Sequence, residues 1–284
     1  MIRLGSFNSP NVRPRWAFFL PLLSVAAWWA MLIAMVVCWV AQGRPNYEDL
    51  HVYMAHLIIY LSNVGATNLQ GLFIAGAATM GVFFVWTMIE EMYLRSRRKR
   101  FLLPSFRRTA TVLHVACIIF TFLSSLSIFL VSCLKDTKFS TAHYTFVALF
   151  IVLNLFWAIC NISLYFIYWK HYPHFPWFKW SACLKLVWLI LAIGLAIGYV
   201  VTMRVANFRG NQSKLWGVSG VLEWTLCFWF GVVFFILSVD IGLRSKGDAD
   251  YPTDSSSDWD KENNQSHRSH DNNVRDPPEG TVHY

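Results

Sequence analysis

The sequence predicts an all-α polytopic membrane protein, a bundle of six transmembrane helices with both termini in the cytosol. Three observations carry that class. Hydrophobic residues make up 56% of the 284 and charged residues 14%, whereas a soluble domain carries about 25% charge. Six apolar stretches approach the roughly 20 residues that a spanning helix needs. Cations gather in alternate loops, as the positive-inside rule requires. Such a composition excludes an ordinary soluble enzyme, a disordered chain and a nucleic-acid-binding domain in water. The net charge of +8 does not argue for nucleic acid: residues 1–243 hold 19 Lys/Arg against 7 Asp/Glu, with the cations at the ends of apolar runs. That is a pattern of membrane loops, not of a groove-reading face.

Three units follow. Residues 1–15 form a short cytosolic stub and 16–243 the membrane domain. Residues 244–284 form an acidic cytosolic tail with 5 basic and 9 acidic residues. The tail has almost nothing apolar to bury and is expected to be disordered. Ser255, Ser256 and Ser257 beside its acids are candidate phosphorylation sites.

The first span, 17–40, contains no charged residue. It is too long for a signal-peptide core and no small-residue cleavage site follows, so it reads as a retained anchor. The second is 72–89, the third 110–134 and the fourth 145–169. The fifth runs over 182–203 and the sixth over 216–241. Orientation comes from the loops. Arg3, Arg13 and Arg15 precede the first span. Arg95, Arg97, Arg98, Lys99, Arg100, Arg107 and Arg108 follow the second, and Lys170 and Lys179 follow the fourth. The other three loops hold Arg44, then Lys135 and Lys138, then Arg204, Arg209 and Lys214. Twelve cations against six put both termini inside. Asn211-Gln212-Ser213 is a glycosylation sequon in the fifth loop, on the side this topology places outside. Asn161-Ile162-Ser163 lies within a span and Asn264-Gln265-Ser266 in the tail, so neither is expected to be modified.

The six cysteines show no metal or redox spacing. Most sit in apolar runs as small hydrophobes, and Cys183, near a membrane edge, is a candidate for palmitoylation. Gly194-x-x-x-Gly198, interleaved with Ala192-x-x-x-Ala196, and Ala77-x-x-x-Gly81 let helices approach closely. Packing within one bundle is the expected use, dimerisation the lesser one.

Glu223 is the sharpest anomaly. It lies about seven residues into the sixth span, roughly 10 Å deep at 1.5 Å per residue. A carboxylate there costs several kcal/mol unless paired, protonated or hydrated. It serves either a lipid headgroup or catalysis, or else a structural hydrogen bond. The first loop is the second anomaly. Residues 52–62 (VYMAHLIIYLS) are apolar but too short to span, as suits an interfacial or re-entrant segment. Asn63, Gly65, Thr67 and Asn68 follow, the glycine permitting a sharp turn and the amides and hydroxyl supplying donors and acceptors. With His143, which begins the fourth span on the same side, Asn63, Gly65, Thr67 and Glu223 form a candidate lipid-binding pocket. On the other side, Glu90, Glu91, Asp240 and His114 are expected to pair with Arg107, Arg108 or the arginines after Tyr93. Asn154 and Asn161 read as interhelical glue. The seven cations from Arg95 to Arg108 suit contact with anionic phospholipids, each worth about 1 kcal/mol near an anionic leaflet. There is no G-x-S-x-G, H-E-x-x-H, Walker A or Rossmann signature. No metal or cofactor is called for.

Tyr60-Leu-Ser-Asn-Val-Gly-Ala66, followed by Leu72-Phe73, resembles the "ISD-(I/T)-G" loop of the Frag/DRAM/Sfk membrane proteins. His114, His143, Leu222-Glu223-Trp224 and the basic second loop resemble further positions of that family, across about residues 15–243. One departure is Asn63, where the family loop usually has Asp. The resemblance implies a regulator of membrane lipid organisation without enzymatic activity. Its branches include autophagy modulators of endolysosomes, a yeast plasma-membrane partner of a phosphatidylinositol 4-kinase that influences lipid asymmetry and sterol retention, and a Golgi factor in GPI-anchor remodelling. The tail, basic loop and "LEW" span favour the yeast branch and hence the plasma membrane, ahead of endolysosomal, vacuolar or Golgi membranes. The alternative is an acyl-remodelling enzyme acting on GPI anchors or phospholipids, or its essential subunit, with Glu223 and His143 as acid and base.

Overall fold

The computed structural model describes residues 16–44, 59–97, 107–173, 175–208 and 213–242. Within them lie seven helices: α1 (Phe19–Ala41), α2 (Leu61–Gly65), α3 (Gln70–Arg97), α4 (Arg107–Cys133), α5 (Asp136–His171), α6 (Pro176–Phe208) and α7 (Ser213–Gly242). Six of these, all but α2, are long and apolar enough to cross a membrane. They coincide with the six stretches expected from sequence. A bilayer admits helices because their backbone groups are satisfied within the segment.

Each long helix packs on its neighbours in chain order, and α7 closes the ring onto α1. Neighbours run antiparallel. The α1 entry at Phe18 accepts a hydrogen bond from Ser238 near the end of α7 at 2.8 Å. Gln70 at the start of α3 donates from Nε2 to the Cys133 carbonyl at the end of α4 at 2.9 Å. The start of α1, the end of α3, the start of α4, the end of α5, the start of α6 and the end of α7 therefore share one end, the terminal end. The opposite end, where α2 sits, is the far end. The described parts of the seven-cation segment, at the end of α3 and the start of α4, lie at the terminal end. Arg95 and Arg97 fall in the last turn of α3, and Arg107 and Arg108 open α4. Arg108 is exposed. Arg98, Lys99 and Arg100 lie outside the described residues, as do the sequon Asn211 and most of 52–62.

The core is aromatic and methionine-rich. Trp28, Met31, Leu32 and Met35 of α1 pack with Met80 and Phe84 of α3, Trp157 of α5 and Phe234 of α7, all fully buried. An indole N–H left without a partner in lipid costs several kcal/mol. Here the indoles are used to tie helices together. Trp28 and Trp29 donate from α1 to the Cys227 and Phe228 carbonyls of α7 at 2.8 and 3.1 Å. Trp188 of α6 and Trp229 of α7 donate to each other's carbonyls at 2.9 and 3.0 Å. Three consecutive carbonyls at the middle of α7 thus take a second donor from outside. Gly231 is what lets α1 approach: a Cβ there would lie 2.1 Å from Trp29 Nε1.

Local chemistry sets the ends. Gly43 takes φ +81°, the left-handed conformation that favours glycine, and its N–H bonds the Val40 carbonyl to stop α1. α5 begins earlier than hydropathy suggested and kinks at Phe139 (φ −131°, ψ 44°). Of the small-residue patterns, Ala77-x-x-x-Gly81 serves packing as expected: Ala77 is fully buried and a Cβ on Gly81 would meet Ser125 of α4 at 2.9 Å. Gly194 meets nothing within 4 Å, so the expected close packing through it does not occur. α6 is the outermost wall, with 11% of its span window buried against 33–44% for the others.

Candidate functional site

At the far end, α7 holds the chain entering α2. Glu223 Oε2 accepts the Leu61 N–H at 2.8 Å, and the Ser62 N–H also bonds the carboxylate. Trp224 donates from Nε1 to the Ile59 carbonyl at 2.8 Å. The Tyr60 and Ser219 hydroxyls bond each other, and the Tyr60 ring packs edge-on against Tyr199 and Trp216. Ser219, Glu223 and Trp224 lie within about one and a half turns of α7. Between them they offer a hydroxyl to Tyr60, an acceptor to Leu61 and a donor to Ile59. Burial pushes the Tyr60 phenol up to about 12, the Ser219 bond opposing this and the Glu223 charge adding to it, so Tyr60 remains a neutral donor at physiological pH. The "LEW" motif is thus a latch on the first loop.

Behind the latch lies a cavity of about 170 Å³. Its walls come from every long helix. Leu61, Ser62, His143, Tyr199 and Glu223 stand at its far-end mouth, and Trp28, Asn154, Trp188 and Phe230 stand deeper. An engineered cavity of similar size, about 150 Å³ and lined by apolar groups, stays dry and binds benzene. The long sides are Val147, Phe150, Ile151 and Leu155 of α5 facing Leu189, Ala192, Ile193 and Ala196 of α6. Ile151, Leu155, Leu189, Ala192 and Ala196 are only half-buried and Ile193 is 41% exposed. The ring and polar contacts that α5 and α6 share among the described residues lie in their terminal halves, from the Trp157–Trp188 pair downward. The cavity is therefore a slot that opens sideways between the far halves of α5 and α6.

The structure brings together His143 and Glu223 of the five expected pocket residues. His143 Nδ1 donates to the Leu134 carbonyl at 2.7 Å, since a carbonyl only accepts. In the neutral ring Nε2 is then an acceptor. Asn63 is buried but is not on the cavity wall. In α2 it sits about 100° and 200° around the axis from Ser62 and Leu61, which do line the cavity. Thr67 staples the α2–α3 turn, donating to the Val64 carbonyl at 2.7 Å and accepting from Leu69 N–H at 3.3 Å. Gly65 has an ordinary helical backbone. Its glycine character serves close approach instead of a sharp turn: a Cβ would lie 2.5 Å from Phe73 Cδ1, and Phe73 lines the slot. Asn154 does not bridge helices as expected. Its Nδ2 donates to the Phe150 carbonyl of its own helix at 2.8 Å, and its Oδ1, buried in the slot wall, has no protein partner.

The terminal half holds a second buried cluster. Lys185 of α6 meets Asp240 Oδ2 of α7 and Asn161 Oδ1 of α5, each at 2.6 Å. Its ammonium stands 3.4 Å from the centroid of the Tyr165 ring. Trp177 Nε1 donates to Asp240 Oδ1 at 2.9 Å. Asp240 thus pairs with Lys185 and not with the loop arginines expected from sequence. The reason is register: Lys185 stands about two and a half helical turns inside α6, level with the end of α7. Tyr165 donates to Glu91 Oε1 at 2.9 Å, and His114 Nε2 bonds the Tyr168 hydroxyl at 3.0 Å. Asn161 is interhelical glue, as expected. Lys185 was not singled out by the sequence reading, although a lone lysine inside an apolar run is itself a signal. All six cysteines carry free thiols. Among the described residues no group of three His, Cys, Asp or Glu could hold a metal.

Comparison with known proteins places the chain. Residues 16–243 match the Frag1/DRAM/Sfk1/Cwh43P N-terminal domain. Protein SFK1 of Saccharomyces cerevisiae is 29% identical over 84% of this chain and 81% of its own length. Protein sfk1 of Schizosaccharomyces pombe is 27% identical over 81% of this chain and 66% of its own. No solved structure matches. The latch, the six-span ring and this match over nearly the whole membrane unit agree: the chain belongs to the Frag1/DRAM/Sfk1/Cwh43P N-terminal domain family.

Proposed function

We propose that this protein is a non-enzymatic regulator of membrane lipid organisation, residing in the plasma membrane with its terminal end in the cytosol. The observation that carries the reading is the slot between α5 and α6, apolar along its walls, polar at its mouth and open toward the bilayer. A shape of that kind receives a lipid from the side. Glu223 and His143 are each tied by backbone groups, which suits fixed recognition better than the proton shuttling that acyl remodelling demands. At the terminal end, Arg95, Arg97, Arg98, Lys99, Arg100, Arg107 and Arg108 would contact anionic phospholipid or a phosphatidylinositol 4-kinase complex.

The test uses cells lacking the protein and cells restored with wild type, Glu223→Gln or a triple charge reversal at Arg97, Arg98 and Lys99. Leaflet composition and a phosphoinositide sensor are read beside GPI-anchor and phospholipid acyl chains. The regulator reading expects altered leaflet composition or sensor signal with unchanged acyl chains. Altered acyl chains rescued only by wild type would overturn it in favour of the remodelling enzyme. Unaltered lipids of every kind would overturn both.

A further inference from the structure

We infer that the slot binds one membrane lipid whose polar end donates hydrogen bonds, an ammonium or a hydroxyl, with a single acyl chain lying between the far halves of α5 and α6. The inference rests on the proposed lipid role and adds the chemical class of the ligand.

Charge complementarity carries it. Among the described residues no Lys or Arg lines the slot, so an anionic head finds no counter-ion on these walls. Two hydroxyls at the mouth, Ser62 and Tyr199, can donate or accept; the other polar atoms facing a ligand are acceptors. Glu223 holds the first-loop backbone through the Leu61 N–H and keeps further lone-pair sites. His143 commits Nδ1 to Leu134 and offers Nε2. Deeper in the wall, Asn154 commits its amide N–H to Phe150, while its Oδ1 is buried without a partner. A buried acceptor without a donor is destabilising, so a donor-bearing ligand relieves the site, and a quaternary choline head, which has no N–H, does not. Volume sets the second half of the inference. A cavity of about 150 Å³ holds benzene, so one of about 170 Å³ takes a short stretch of one chain, the rest lying in the bilayer. Ala192 and Ala196, on the α6 side, leave room for it.

The test is photo-crosslinking of the full-length protein in vesicles carrying acyl-chain diazirine probes: phosphatidylethanolamine, diacylglycerol and phosphatidylcholine. The expected result is labelling of peptides covering 147–155 and 189–196 by the ammonium probe or the hydroxyl probe. That labelling should exceed the choline probe by about ten-fold or more, the scale of one charge-assisted hydrogen bond. Glu223→Gln should cut the ammonium probe and spare the hydroxyl probe, which tells the two sources apart. Ala192→Leu should block both, and peptide recovery from the outer face of α6 controls for folding. Equal labelling by all three probes, or labelling no stronger than that of the outer face of α6, would overturn the inference. If labelling persists while lipid organisation in cells is unaltered, the slot stands and the regulatory reading falls. If lipid organisation shifts while labelling is absent, the reverse holds.

Discussion

The two halves of the bundle each bury a carboxylate and treat it differently. In the terminal half, Asp240 meets a full counter-ion, Lys185, and an indole and an amide occupy the remaining sites around the pair. In the far half, Glu223 meets first-loop backbone N–H and, among the described residues, no cation. The first arrangement closes the seam between α5, α6 and α7. The second keeps a carboxyl group with spare acceptor sites beside an open cavity. A counter-ion would have sealed the far half as well. The difference teaches that solvating a membrane-depth carboxylate with loop backbone fixes the loop while keeping acceptor capacity for something else.

Removing the counter-ion breaks the comparison most strongly. Lys185→Met leaves Asp240 buried and unpaired, which costs about 3–5 kcal/mol. Thermal unfolding of the purified protein in detergent should show the largest drop of any substitution considered, and Lys185→Met combined with Asp240→Leu should recover most of it. Equal drops in single and double variants would mean that the pair is not a unit. Next comes Gly231→Ala, whose Cβ would displace the Trp29 indole. Overpacking of this kind costs about 1–3 kcal/mol, and the same unfolding assay reads it.

The far half should respond more locally. Glu223→Ala strands the Leu61 and Ser62 N–H groups at about 1–3 kcal/mol. The change should show in thiol labelling of a Ser62→Cys reporter, faster in the Glu223→Ala background, with global unfolding moved less than by Lys185→Met. Glu223→Gln retains an acceptor and should restore most of the protection. Trp224→Phe loses only the Ile59 bond. At about 0.6 kcal/mol for an interhelical hydrogen bond in a membrane, it should raise reporter labelling slightly.

The spans were legible in the sequence because twenty apolar residues have few alternatives. The early start of α5 was not, since Lys138, Thr141 and His143 lower the local hydropathy although the helix runs through them. Glu223 stood out as a charge in an apolar run, and the same logic applied to Lys185 would have found its partner half of the story. What Glu223 bonds was not readable: the Leu61 contact spans 162 residues and depends on how α7 meets the first loop. Asn63 was placed in the pocket because its amide lies in the first loop on the same side as His143 and Glu223, and helical rotation turned it away from the wall that Leu61 and Ser62 form. Gly194 was read by spacing alone, which cannot tell a packed face from a slot-side or lipid-facing one, whereas Gly198, one turn on, does face Leu222 of α7, 3.5 Å from where its Cβ would stand.

The measurement that reaches the central claim most directly is native mass spectrometry of the protein released from membranes, as wild type and as Ala196→Trp. An open far half predicts one retained lipid on the wild type and its loss when the indole fills the slot, with the unfolding temperature of the closed terminal half little altered. Identical lipid retention by both proteins, or none by either, would contradict the account.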